Sequence, residues 1–338
     1  MRDVLLSFCI ASYRRSDLVI EQIEELLRNS SNRFEIIVCD DCSNDGTIDR
    51  IRKIQDPRVK VYSNKENVGG MLNIYDSLML GSGDYVFYLN DRDQMDFLKL
   101  NVLISILDNF DRENVGFART CSNYGVEKYI IYESGEKAFL EFACRINHPT
   151  GYIFKKSALE DIQNGRNYFG DEYGDYGFTI LCAILSLKYN GAYIRGNMCD
   201  IERLRIDFNN ERSRFNRKRK DKSMWYSVEA QERELRVVCK VCQELHIEQD
   251  WIEKLFLLRY EEYLNRVTVQ YGNIMCDPVN TIHYGVKPIT NKKELLFLEV
   301  KNCFRLKHKA KKICNKFGMK PINMQIDNIT KKILYDLL

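Results

Sequence analysis

Two alternating periods limit what this chain can fold into. Predominantly apolar runs at residues 4–10, 34–39, 59–62 and 85–89 are separated by segments whose apolar residues recur at helical spacing, 17–27, 47–54 and 73–80. A run without polar alternation belongs to a strand covered on both faces. Strands joined through helices run parallel, with the helices packed on both sides of the sheet. In the first helix Val19, Ile23, Leu26 and Leu27 fall near one face, and Ser16 is placed to cap it. Ligands of such sheets sit at the carboxyl ends of the strands. Residues 11–15, the pair Asp40-Asp41 and the segment Asn90-Asp91-Arg92-Asp93 each follow such an end directly. Three stretches far apart in sequence are therefore expected to share one crevice.

Beyond this region the pattern is mixed. A helix is expected over 97–110, short strands over 115–120, 129–132 and 151–154, and a buried helix over 176–187. From about residue 201 the character changes. Residues 209–222 form a polar run with Arg212, Arg214, Arg217, Lys218, Arg219 and Lys220, which reads as a mobile loop or linker. Helical patterns follow at 224–245, 251–271 and 292–317. The reading is an α/β domain over 1–205, a basic loop or linker over 206–222 and a helical C-terminal region over 223–338.

Composition excludes several classes. With 338 residues, 45% hydrophobic and 29% charged, the chain reads as a soluble globular protein. A formal net charge of +3 is too small to imply a nucleic-acid partner, and none is expected. No apolar run approaches the roughly 18–20 residues of a membrane span. Met1-Arg2-Asp3 runs straight into a strand-like segment, so no cleaved leader is expected. The 12 cysteines are scattered through strand-like and helix-like runs, which fits buried thiols in a reducing cytoplasm. Cys239 and Cys242, with His246 nearby, lack the second ligand pair that a zinc site would need.

The chemistry-bearing residues are carboxylates. The first strand runs into Ala11-Ser12-Tyr13-Arg14-Arg15, without the glycines that let a dinucleotide pyrophosphate approach backbone. No phosphate-binding Gly-x-x-x-x-Gly-Lys loop and no Gly-x-Ser-x-Gly elbow occurs. Asp40 and Asp41 can accept hydrogen bonds from a base or ribose, and residues 41–47 are rich in turn and helix-start residues. Asp91 and Asp93 lie two apart past a buried strand, a spacing that puts both on one side of an extended chain. Oxygen ligands of this kind suit Mg²⁺ or Mn²⁺ together with a diphosphate.

Five blocks stand in order: Ser7-Phe8-Cys9-Ile10-Ala11-Ser12-Tyr13, then Asp40-Asp41-Cys42-Ser43-Asn44-Asp45-Gly46-Thr47, Asn67-Val68-Gly69 with Asn73, Gly83-Asp84-Tyr85, and Tyr88-Leu89-Asn90-Asp91-Arg92-Asp93. This order resembles the N-terminal half of the family 2 glycosyltransferases, well over residues 4–96 and more loosely to about 195. The resemblance implies a GT-A fold, a Rossmann-like mixed but mostly parallel sheet flanked by helices, here with a helical appendage. It implies an inverting transfer of sugar from a nucleotide-diphosphate donor, UDP- or dTDP-linked, to a saccharide or lipid-linked acceptor in surface polysaccharide synthesis.

For matched positions, the resemblance places Ala11 and Tyr13 against the nucleotide base, with Arg15, Asn67, Gly69 and Asn73 on the donor and Asp40 or Asp41 on base or ribose. The resemblance implies Asp93 as the first metal ligand and Asp91 as the second, for Mn²⁺ or Mg²⁺. Arg92 stands where relatives often carry an acid and can pair with the diphosphate. The segment Gly170-Asp171-Glu172-Tyr173-Gly174-Asp175-Tyr176 is similar to the family's catalytic-base segment; Asp175 is the choice, with Asp171 and Glu172 as alternatives. His148 is a candidate contact for acceptor or phosphate. The basic, partly amphipathic residues 301–313 can lie on an anionic membrane, giving a cytoplasmic enzyme peripheral to the inner face of the cell membrane. A non-catalytic GT-A scaffold and a metal-dependent nucleotidyltransferase remain as alternatives.

Overall fold

A computed structural model describes residues 4–337 apart from 122–127, 146–147, 174–175, 197, 201–224, 279–280 and 282–285. The chain divides into two compact units, Met1–Asp207 and Phe208–Leu338.

In the first unit β1 (Leu6–Ser12), α1 (Ser16–Leu27), β2 (Phe34–Asp40), α2 (Thr47–Arg52), β3 (Val59–Ser63), α3 (Gly70–Leu80) and β4 (Tyr85–Tyr88) follow the expected alternation. Then come β5 (Gln94–Met95), α4 (Leu100–Phe110), β6 (Val115–Cys121), β7 (Tyr129–Tyr132), α5 (Glu136–Phe142), β8 (Tyr152–Lys155), α6 (Lys156–Glu160), α7 (Gly177–Ser186), β9 (Asn190–Arg195) and β10 (Cys199–Asp200). Eight strands form one sheet in the order β3-β2-β1-β4-β8-β6-β9-β7. The block β3-β2-β1-β4 is parallel throughout, and β6 runs parallel to β9. β8 lies antiparallel to both β4 and β6, and β7 antiparallel to β9.

Strands β1, β2 and β4 are buried at every position, as their uninterrupted apolar runs require. Phe8, Ile10, Phe34, Ile36, Val38 and Phe87 face one layer, and Cys9, Ile37, Val86 and Tyr88 face the other. Each such side chain contributes about 1.5–3 kcal/mol by leaving water. Phe8 meets the rings of Phe34 and Phe87, so Phe8→Ala would cost about 3–5 kcal/mol. Helix α1 buries Val19, Gln22, Ile23 and Leu26. Two details of its expected form change. Ser16 is the first helical residue, and Arg15 holds the cap position without a side-chain cap. The fourth residue of the buried face is the polar Gln22 instead of Leu27.

Reading the chain order across the sheet, β1 has β2 on one side and β4 on the other. This reversal of winding opens a crevice between the carboxyl ends of β1 and β4, the usual ligand position of open α/β sheets. Because β8 is antiparallel to β4, its first residues also arrive at that end: Gly151 N–H donates to Tyr88 O at 3.1 Å. A second ribbon pairs β5 with β10, and Asp96 N–H donates to Met198 O at 2.9 Å, returning the chain to the segment just past Asp93.

The second unit is helical: α8 (Val228–Glu244), α9 (Gln249–Asn265), a π turn (Arg266–Gln270), α10 (Tyr271–Cys276), α11 (Lys292–Lys316) and α12 (Asn323–Leu337). Ser227 caps α8 by accepting from Ala230 N–H, and Asn291 caps α11 by accepting from Lys293 and Glu294 N–H. The expected helix over 251–271 is interrupted by the π turn, and α12 went unread in the sequence. No disulfide joins cysteines among the described residues, and Cys239 and Cys242 are buried on α8. The basic run at 209–222 lies outside the described residues. No helix among them is long and apolar enough to cross a membrane.

Candidate active site

The crevice is built from three loops. The first leaves β1 through Tyr13, Arg14 and Arg15. Arg14 takes a positive φ of 55°, which turns the chain outward. Its N–H donates to Ser43 Oγ at 2.8 Å, and Ser43 Oγ in turn donates to the Asp40 carboxylate. Asp41 N–H donates to Ser12 O at 2.8 Å. The ends of β1 and β2 are thus fastened to each other. Tyr13 is left 40% exposed, with Arg14 beside its ring at 5.0 Å, a flat apolar surface open for stacking. Ala11 lies buried behind it on β1.

The second loop follows β2. Asp40 Oδ2 accepts from Ser43 N–H at 2.9 Å, closing the turn. Asp41 accepts from three donors: Asn64 Nδ2 at 3.0 Å, Val68 N–H at 2.8 Å and Gly69 N–H at 3.0 Å. Its carboxylate therefore shapes the loop that leads into α3. Gly69 holds φ +91°, a conformation that only glycine adopts without strain. Asn67 is exposed and donates to Asp41 O at 3.1 Å. Asn73, expected on the donor, is buried. Its Nδ2 donates to Cys39 O at 2.9 Å and its Oδ1 accepts from Asn64, so it positions the end of β2.

The third loop, Asn90 to Asp93, is pinned from three directions. From α1, Gln22 Nε2 donates to Asn90 O at 2.6 Å and to Asp93 O. From the start of β8, Thr150 Oγ1 accepts from Asn90 N–H at 3.0 Å and donates to Asp93 Oδ2. From β1, Arg15 Nη1 donates to Asp91 Oδ1 at 2.5 Å, spanning the crevice. Asp91 and Asp93 are 3% and 2% exposed. Burial pushes the Asp91 carboxyl above its ordinary value; Arg15 and Arg92 oppose this, and the charge of Asp93 adds to it. Arg92 curls back, its N–H donating to Asn90 Oδ1 at 3.1 Å.

His148 Nδ1 accepts from Thr150 N–H at 3.3 Å and lies 3.4 Å from Asp93 Oδ2. One ring nitrogen cannot accept from an amide and donate to a carboxylate at once. The neutral ring with its proton on Nε2 keeps the amide bond, and protonation favours Asp93. Asp171 and Glu172 are exposed in the turn before α7, whereas Asp175 lies outside the described residues.

Among the described residues no three His, Cys, Asp or Glu side chains form a group able to hold a metal by themselves. Asp91 and Asp93 nevertheless offer two neighbouring carboxylates at the switch point. One or two carboxylates completed by substrate phosphates is the usual way Mg²⁺ is held. The residues fit a cation that arrives with a diphosphate.

Sequence reasoning missed Gln22, Thr150 and Arg119. A glutamine on the buried face of an amphipathic helix was a readable sign, as was an arginine within an apolar strand. Arg119, on β6 opposite Tyr152, lies over that ring at 5.4 Å with its Nε buried and unbonded. Its neighbour Thr120 donates its N–H to Gly151 O at 2.9 Å, which places Arg119 beside the loop holding Asp93.

Comparison with known proteins agrees with this construction. Residues 7–163 match the sequence profile of Glycosyl transferase family 2. The chain is 32% identical over 129 residues to UDP-Glc:alpha-D-GlcNAc-diphosphoundecaprenol beta-1,3-glucosyltransferase WfaP of Escherichia coli, covering 38% of this chain and 49% of that protein. It is 28% identical over 185 residues to GalNAc(5)-diNAcBac-PP-undecaprenol beta-1,3-glucosyltransferase of Campylobacter jejuni, covering 49% and 57%. The chain thus spans about half the length of the curated relatives it matches. Among solved structures, S. aureus TarS 1-349 in complex with UDP-GlcNAc superposes with a TM-score of 0.51 at 14% identity, over 99% of this chain and 90% of that one. Mannosyltransferase PcManGT from Pyrobaculum calidifontis in complex with GDP-Man and Mn2+ gives 0.50 at 13%, over 96% and 86%. The first unit has the GT-A fold, with an eight-stranded mixed sheet between helices. The match to the Glycosyl transferase family 2 profile lies within this unit.

Proposed function

We propose that this protein is an inverting glycosyltransferase that moves a sugar from a UDP- or dTDP-linked donor to a hydroxyl of a lipid-linked saccharide, in the synthesis of a bacterial surface polysaccharide. The observation that carries the reading is the double clamp at the switch point, Arg15 on Asp91 and Thr150 on Asp93. It holds two buried carboxylates between a base-stacking tyrosine and the loop before β8. The WfaP and Campylobacter relatives, whose names specify undecaprenyl-diphosphate acceptors, supply the acceptor class.

Tyr13 stacks on the base, and the loop shaped by Asp40 and Asp41 borders the ribose. Asp93 and Asp91 would hold Mn²⁺ or Mg²⁺, which when bound would supply positive charge for the departing phosphate. Arg15 and Arg92 add charge on the same side. Asp175, two residues before the start of α7, takes the proton from the acceptor hydroxyl as the oxygen attacks the anomeric carbon; the bond to the diphosphate breaks and the nucleotide leaves. Arg119 and His148 flank the acceptor side, where the Arg119 guanidinium offers positive charge to a phosphate-bearing acceptor. The enzyme works at the inner face of the cell membrane, where such acceptors are displayed.

The test is release of nucleoside diphosphate from a panel of nucleotide sugars, with Mn²⁺ or Mg²⁺ and a diphosphate-lipid acceptor. Turnover is expected with one donor, and its loss in Asp175→Asn with donor affinity retained. If no nucleotide sugar shifts the melting temperature or turns over, the reading fails. Normal turnover in Asp175→Asn moves the base to Asp171 or Glu172.

A further inference from the structure

The helical unit carries a surface that sugar transfer does not use. Helix α11 buries Glu299, Cys303, Leu306, Ala310, Ile313 and Cys314, one stripe packed against its neighbours. At about 100° per residue, Phe297, Lys301, Phe304, Arg305, His308 and Lys312 fall within an arc of about 100° directly opposite that stripe. The outward face of a packed helix is normally polar. Here Phe297 and Phe304 are 65% and 51% exposed on it.

The same face borders an open groove of about 710 Å³ between α11 and α8, with Val300 among its lining residues and Arg236 and Glu232 on the α8 side. The nearby acids are already engaged. Glu229 accepts from Arg305 at 2.5 Å, and Glu232 pairs with Lys309 and, at 2.7 Å, with Arg236. Lys301, His308 and Lys312 have no carboxylate partner among the described residues. Between Phe297 and Lys312 the arc contains no acidic residue.

We infer that this face of α11 is a docking surface for an anionic lipid bilayer. The layout of the charges decides between a plane and a point. Lys301 and Lys312 are strung along about 16 Å of helix axis at 1.5 Å per residue, whereas one phosphate would need cations that converge. A plane engages the whole line together, with the two phenylalanine rings entering the headgroup region and the lysine stems lying along it. This inference stands apart from the proposed transfer reaction, since it needs neither donor nor acceptor.

The experiment is cosedimentation of the full chain, without nucleotide sugar, with vesicles of phosphatidylcholine alone or doped with phosphatidylglycerol, at low and high salt. Binding is expected only to the doped vesicles and is expected to weaken with salt. A basic residue near such a surface is worth roughly a factor of five, so Lys301→Gln with Lys312→Gln should weaken binding about twenty-five-fold. Phe297→Ser with Phe304→Ser should weaken it at least as much, with the melting temperature kept because all four side chains are exposed. Equal binding to both vesicle types, or unchanged binding in either double variant, overturns the inference. So does a wild-type dimer in sedimentation equilibrium that the phenylalanine variant turns monomeric, which would make the face a contact between copies. Binding to heparin without binding to doped vesicles likewise overturns it, in favour of a soluble polyanion.

Discussion

Asp40-Asp41 and Asp91-Asp93 stand past the ends of two parallel strands of one sheet, and all four carboxylates are buried. Their partners differ. The first pair accepts from groups close by in the fold's own loops: the Ser43 backbone and hydroxyl, the Asn64 amide and the N–H groups of Val68 and Gly69. These neutral donors, fixed by the turn, give those acids a shaping task. The second pair is held by side chains from other parts of the chain, Arg15 from the loop after β1 and Thr150 from just before β8. Burial has raised the proton affinity of Asp91, a cost that the fold tolerates where charge is kept for a ligand. The same residue type at equivalent strand ends is thus held in two different ways, which under the proposed function divides architecture from chemistry.

That contrast can be broken by experiment. Asp93→Ala should lower turnover at least a thousandfold, about 4 kcal/mol of transition-state stabilisation, while the melting temperature stays near that of the wild type. Asp41→Ala should do the reverse. Removing an acceptor that serves three partly buried donors costs about 3 kcal/mol of stability by urea unfolding, and the folded fraction should keep most of its turnover. If Asp41→Ala instead abolished turnover without loss of stability, the division of labour would be wrong. Gln22→Leu probes the support of the second loop. It strands the carbonyls of Asn90 and Asp93, so stability should fall by about 1–2 kcal/mol and kcat about tenfold by steady-state assay. Tyr13→Ser should raise the donor KM about tenfold with kcat retained, as expected for loss of one stacked base. Gly69→Ala has open space for its methyl group but an unfavourable φ, so thermal unfolding should show a loss of about 1 kcal/mol.

Most of the parallel half of the sheet was legible because period is a local signal. Residues 34–39 look like a buried strand whatever they pair with, and Asp40-Asp41 must then fall at its end. What could not be read was partnership across the chain. Nothing near Thr150 announces that its hydroxyl will meet Asp93, and nothing near Asn90 announces Gln22, because strand order brings them together. The two-residue strands β5 and β10 are too short to leave a pattern. Asn73 was misjudged for a related reason. The residue type suits a ligand contact, but its place in the first turn of α3 directs it at the backbone of Cys39. The structure gathers Tyr13, Asp40, Asp41, Asp91, Asp93 and His148 around the carboxyl ends of β1, β2 and β4, and Asp175 lies outside the described residues.

The antiparallel course of β8 beside β4 has one more consequence. The two strands enter and leave the crevice at the same end, so the loop that grips Asp93 and the loop that carries it belong to separate stretches of chain, met through Thr150 and His148. Substitutions at Thr150 or His148 therefore act on Asp93 without altering the sequence of β4. For an engineer this is a place to tune the surroundings of Asp93 from one stretch of chain while the strand that leads to it keeps its residues.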